Sequence, residues 1–78
     1  MTVRYFAGAR AAVGVDTETH AAGTLDELVD RLVAAHGERL AKVLTACSFL
    51  VDGTSTRDRS HALAQGAVVD VLPPFAGG

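Results

Sequence analysis

Cysteine is nearly absent: Cys47 stands alone in 78 residues. A single thiol cannot close an internal disulfide, which excludes a disulfide-stapled secreted miniprotein, and it cannot build a four-cysteine iron–sulfur or zinc site. No apolar run approaches the roughly 18 residues of a membrane span, and no basic segment followed by a long apolar one opens the chain. No membrane partner is expected, and the cytoplasm is the expected location. Clustered positive charge is missing too: nine carboxylates face seven bases, six of them arginine, for a net charge of -2. Phosphate-backbone binding needs clustered Lys and Arg, so no nucleic-acid partner is expected. Neither a Gly-x-Gly-x-x-Gly nor a Gly-Lys-Ser/Thr loop occurs, and no serine sits in a Gly-x-Ser-x-Gly elbow. The length completes the exclusions. A chain this short holds one core and buries only about 60% of its unfolded surface, leaving little room for a substrate pocket with a catalytic shell. It is expected to be non-catalytic alone.

What is present alternates between strand and helix signals. Thr2 to Phe6 is rich in β-formers and alternates, with Val3 and Tyr5 on one face. Val15 to His20 alternates again, reached through a loop around Gly14, so the opening reads as a hairpin with a long connection. Thr24 followed by Glu27 forms a capping box, and Leu25, Leu28, Val29, Leu32 and Val33 make one apolar stripe that Gly37 ends. Asp26, Asp30 and Arg31 face water in this helix. Glu38 to Thr45 carries Leu40, Val43 and Leu44 at helical spacing and adds one or two turns. Ala46 to Val51 is a short apolar strand, and Asp52-Gly53 favours a tight hairpin turn into another short strand. The polar stretch Thr54 to Gln65 has Leu63 as its core anchor. Val68 to Leu72 is the strongest β-segment, stopped by Pro73-Pro74, which lack amide hydrogens. The order predicts an α+β domain over residues 1–74, a β-grasp mixed sheet with one main helix on one face, and a flexible tail at 75–78.

Candidate chemistry within the domain is sparse. His20, His36 and His61 lie 16 and 25 residues apart, without a second imidazole or cysteine at helical ligand spacing, so no metal site is expected. Cys47, in an apolar strand without a basic neighbour, reads as a core residue. Asp26 and Glu27 serve the helix cap rather than acid–base work.

The tail is different. Ala76-Gly77-Gly78 follows directly on the last core strand and the two prolines, so its root is rigid and its direction extended. Six residues from Pro73 reach about 20 Å. Glycine lets a backbone enter a narrow active site unobstructed. The terminal carboxylate, ionised at neutral pH, could attack the α-phosphate of ATP in a partner enzyme and form an acyl adenylate.

At this point the chain resembles the ubiquitin-like sulfur carriers, the group that includes the small subunits of molybdopterin synthase. The matching pieces are Val3 to Arg10 with Gly14, the capped helix from Thr24, Asp52-Gly53, and Val69 to Gly78 with its Pro73-Pro74-Phe75-Ala76-Gly77-Gly78 ending. Gly66-Ala67-Val68 and Asp52-Gly53 differ from the Gly-Asp-Glu and Asn-Gly common in the family, both away from the tail. The resemblance implies that Gly78, preceded by Gly77, is adenylated by a ubiquitin-activating-like adenylyltransferase using ATP. It is then converted to a thiocarboxylate with sulfur from a donor protein and inserted into the large subunit of molybdopterin synthase. The carrier would hold no cofactor or metal of its own. The same fold and ending serve thiamine-pathway carriers and carriers feeding cysteine or other metabolites. A ubiquitin-like protein modifier would instead end in an isopeptide bond.

A contact surface follows from strand alternation. If Val69 and Val71 point to the core, Val68, Asp70 and Leu72 point away, leaving Leu72 and Phe75 as exposed apolar groups beside the tail. Phe6 and Arg10 can join them, matching the family's Phe-Ala-x-x-Arg contact region. The expected partner-binding set is Phe6, Arg10, Leu72, Pro73, Pro74, Phe75 and Ala76.

Overall fold

A computed structural model describes residues 1–74 of the chain. The elements run β1 (Thr2–Tyr5), α1 (Ala7–Val13), β2 (Thr17–Thr19), α2 (Leu25–His36), α3 (Glu38–Ala46), β3 (Ser48–Val51), β4 (Thr54–Thr56) and β5 (Val68–Leu72). The strands form one mixed sheet in the order β2-β1-β5-β3-β4. Only β1 and β5 run parallel, and the other neighbours are antiparallel. The last strand is therefore central, hydrogen-bonded on both sides. Val3, Tyr5, Phe49, Val51, Val69 and Val71 alternate onto one sheet face and pack with Leu25, Leu28 and Leu32 of α2 and Leu40 and Leu44 of α3 into a single core. Helices cover this face only, as the expected α+β architecture requires.

The first connection departs from expectation. Residues read as a loop form α1, because alanine is the strongest helix former and Gly14, at φ 88°, supplies the left-handed residue that closes it. The Gly14 N–H donates to the Arg10 carbonyl at 2.7 Å. Three helices thus stand among the described residues, with α2 the longest. The second strand is correspondingly shorter than Val15 to His20, spanning Thr17–Thr19.

The capped helix forms where expected. Thr24 Oγ1 accepts from the Glu27 N–H at 3.2 Å, while Glu27 Oε1 reaches back to the Gly23 N–H at 2.9 Å, one residue before the usual partner of a capping box. The two remaining first-turn amides are satisfied by the polar stretch after β4: Leu25 N–H donates to the His61 carbonyl at 3.0 Å and Asp26 N–H to the Arg59 carbonyl at 2.8 Å. That stretch is an irregular segment with a capping task, and Leu63 anchors it in the core. Replacing Thr24 with alanine is expected to cost about 1 kcal/mol. A melting curve should register this as a drop of about 4–8 °C.

The Asp52-Gly53 turn has φ 49° and 86° at its two residues, the conformation that matches the twist of the flanking strands. The Asp52 carboxylate also accepts from the Val68 N–H at 2.9 Å, tying the turn to the start of β5. No helix among the described residues is long and apolar enough to cross a membrane.

Candidate functional site

Strand β5 ends at Leu72 and hands the chain to Pro73 and Pro74 at one end of the sheet. The register shows what surrounds that exit. Tyr5 pairs with Val71 in β1, and Ser48 pairs with Leu72 in β3. Phe6 extends the pairing one residue further, since its backbone is extended and its N–H donates to the Val71 carbonyl at 3.3 Å. With period two, Phe6 then shares a face with Arg4, and Leu72 with Asp70. This is the sheet face that no helix covers. Ala7, at φ 48°, turns the chain away immediately afterwards into α1, a left-handed conformation that costs a non-glycine residue about 1–2 kcal/mol.

Phe6 is exposed beside this exit, and Pro73 is half-buried. Leu72 corrects the expectation in degree: it is half-buried rather than open, because its neighbours in β1 and β3 flank it on both sides. Pro74 is exposed. Arg10, one helical turn beyond Phe6 in α1, is exposed and sits 3.4 Å from the carboxylate of Asp16. Phe75, Ala76, Gly77 and Gly78 lie outside the described residues.

The sequence reading passed over Arg4. Its guanidinium grips Asp70 through two bonds, Nε to Oδ1 at 2.5 Å and Nη2 to Oδ2 at 2.7 Å. Asp70 points away from the core as expected but is not open to solvent, because Arg4 covers it and leaves its side chain 9% exposed. Alternation alone marks Asp70 as outward. Only the parallel pairing of β1 with β5 puts Arg4 directly opposite it.

A second polar group lies at the edge of the sheet. Glu18 of β2 accepts from the Tyr5 hydroxyl at 2.5 Å and meets His36 at the end of α2 at 2.8 and 2.9 Å and His20 at 3.3 Å. Burial alone would raise the Glu18 carboxyl, but the bonds from Tyr5, His36 and His20 outweigh it and hold the group below the ordinary carboxylate value. Burial, then the Glu18 contact, pushes the Tyr5 hydroxyl far above its usual range. Two of the three histidines, His20 and His36, are therefore parts of one hydrogen-bonded cluster, and His61 lies outside it. No group of three or more His, Cys, Asp and Glu side chains suited to a metal ion is present among the described residues.

The sign of the pH effect follows. A carboxyl depressed by folding adds stability above its unfolded value, and that stability is lost as pH falls through the folded value. Acid titration of the melting temperature should show a decline beginning just under the ordinary Glu value and continuing below it. Tyr5→Phe should flatten that decline. An unchanged slope in Tyr5→Phe would detach Glu18 from the effect.

Cys47 is buried, its Sγ donating to the Val43 carbonyl at 3.1 Å, and burial pushes its thiol up. It is a core group. A cleft of about 670 Å³ lined by Met1, His20, Gly23 and Leu63 lies toward the start of β1, away from the exit of β5. A smaller cavity of about 150 Å³, lined by Leu44, Thr45, Cys47, Phe49, Arg57 and Arg59, lies nearer the exit, on the β3 side.

The chain is similar to known proteins along nearly its whole length. The chain is 32% identical over 80 residues, 97% of its length and 95% of the relative's, to a molybdopterin synthase sulfur carrier subunit of Chlamydomonas reinhardtii. Its fold matches a chain in the protein–protein complex of subunits 1 and 2 of the molybdopterin-converting factor of Helicobacter pylori, with TM-score 0.71, 26% identity and coverage of 99% and 96% of the two chains. It also matches the small archaeal modifier protein 1 of Haloferax volcanii, with TM-score 0.80, 23% identity and coverage of 95% of each, a likeness of fold. The profile of the ThiS family matches residues 3–78, so the chain belongs to the ThiS family of ubiquitin-like sulfur carriers.

Proposed function

We infer that this chain is the sulfur carrier of a molybdopterin synthase, with Gly78 as the reacting residue and Gly77 as its slender lead-in. The observation that carries this reading is the match to the Chlamydomonas carrier subunit along nearly the whole of both chains. The fold supports it, because the strand that leads to the tail is the central one and its exit is flanked by Phe6 and Leu72.

The chemistry begins at the Gly78 carboxylate, which attacks the α-phosphate of ATP held by an activating adenylyltransferase and releases pyrophosphate. The terminal sulfur of a donor protein's persulfide then attacks the acyl carbon, AMP leaves with one of the carboxyl oxygens, and a second thiol cleaves the resulting acyl disulfide, leaving a disulfide on the donor side. The product is a thiocarboxylate. The large subunit would receive this end in its active site, take the sulfur for the dithiolene of molybdopterin, and regenerate the carboxylate with oxygen from water. The carrier contributes the sulfur and the platform; pocket and acid–base groups belong to the partner. Phe6, Arg10, Leu72, Pro73, Pro74, Phe75 and Ala76 form the contact set in this reading, and the carrier itself binds no cofactor or metal.

Intact mass spectrometry tests it. The chain is incubated with its activating enzyme, ATP and a sulfur source, beside a Gly78-deleted control. Replacement of one oxygen by sulfur in the C-terminal peptide, absent from the control, followed by loss of that sulfur to the large subunit's substrate, is the expected result. Lysine-linked adducts on other proteins in place of the sulfur shift would make the chain a protein modifier.

A further inference from the structure

The structure assigns to Arg4 the role of a positioning residue that pre-orders Phe6 for partner docking through its grip on Asp70. This rests on the preceding reading, in which the end of the sheet bearing the tail meets the partner.

Three observations carry it. Arg4 and Asp70 are direct register partners on adjacent parallel strands and bond at 2.5 and 2.7 Å, so the guanidinium plane is fixed to the strand that carries the tail. A two-bond fork fixes orientation as well as distance, which an ammonium cannot do. The guanidinium carbon then lies 5.9 Å from the centre of the Phe6 ring, over its face, within the range of a cation–π contact. Phe6 is one of only two large apolar side chains strongly exposed among the described residues, at 38%. An exposed ring loses rotamer freedom when a partner covers it. Arg4 removes part of that loss beforehand, and it does so from a side chain that is itself 49% exposed.

The arrangement also links two pieces of the site. Asp70 sits two residues before Leu72, and Phe6 sits two residues after Arg4. One ion pair therefore sets the placement of the exposed ring relative to the root of the tail.

The test separates positioning from plain stability. Arg4→Lys retains the charge beside Asp70 but loses the planar fork. In the isolated chain, aromatic relaxation and side-chain couplings should show the Phe6 ring sampling several rotamers in this variant and fewer in the parent. Association with the large subunit should weaken by about two- to fivefold, and the same substitution in a Phe6→Ala background should add nothing. If Arg4→Lys unfolds the chain, Arg4→Met combined with Asp70→Ala removes both charges together and leaves no buried carboxylate unpaired. The same ring disorder is expected there. Parent-like Phe6 order in a folded variant overturns the assignment, as does an equal loss of association with and without Phe6. Failure of the underlying reading looks different: Phe6→Ala and deletion of Gly77-Gly78 would both leave association unchanged, while the ring measurement still decides what Arg4 does.

Discussion

Deleting Gly77 and Gly78, or extending the chain beyond Gly78, is expected to abolish sulfur transfer and leave the melting temperature where it was. The two effects separate because they belong to different parts of the molecule. Among the described residues every member of the hydrophobic core lies between Met1 and Val71, and a glycine brings no side chain to bury. The chemistry, in contrast, needs one free carboxylate at the end of a backbone narrow enough to enter a partner's active site. Extension buries that carboxylate in a peptide bond, and deletion moves it about 7 Å closer to the platform. Single-turnover sulfur transfer with the activating enzyme and large subunit, beside a thermal melt, measures both quantities. A variant extended past Gly78 that still delivers sulfur at the parent rate would remove the thiocarboxylate from the mechanism.

The opposite pattern is expected of Leu28→Ala. Leu28 is fully buried in α2 and belongs to the same core as the strands. Removing most of a fully buried leucine side chain costs about 2–5 kcal/mol, the transfer energy of the lost methyls plus the cavity they leave. A domain of 78 residues has only about 4–12 kcal/mol in total. The variant should lose a large share of its stability, with a melting temperature lowered by about 8–40 °C. Below its melting transition it should still accept sulfur, since Phe6, Leu72 and Gly78 are untouched. Denaturant unfolding gives the first quantity and the mass assay the second.

Much of this was legible in the sequence, and the reasons differ by element. The helix from Leu25 to His36 is written in local signals: Thr24 and Glu27 at its start, a five-residue apolar stripe and Gly37 at its end. Likewise the Asp52-Gly53 turn is demanded by its two residues alone. What escaped is either too short or too distant. Helix α1 has seven residues, includes Gly8 and lacks a side-chain cap, so its start carries no local mark. The Glu18 cluster draws on β1, β2, the segment after it and the end of α2, and no spacing rule connects Tyr5, Glu18, His20 and His36. The Arg4–Asp70 pair is 66 positions apart in sequence and becomes visible only when the parallel register is known. Alternation places Phe6 and Leu72 on the uncovered face with Arg4 and Asp70, but it does not reveal the pair that Arg4 and Asp70 form.

The parallel pairing of the first and last strands has a consequence for the timing of the carrier's life. During synthesis β1 emerges early but cannot take its place beside β5 until nearly the whole chain has been made, because Thr2 pairs with Val68 and Tyr5 with Val71. Contacts of such long range form late, after the cost of closing the intervening loop has been met. Until then the tail has no rigid root and Phe6 has no neighbour on β5. In the proposed function, a partner that binds Phe6 together with the tail would meet both ends of the polypeptide at once. Copies truncated at either end lose the parallel pairing of β1 with β5, and with it the placement of Phe6 beside the last strand.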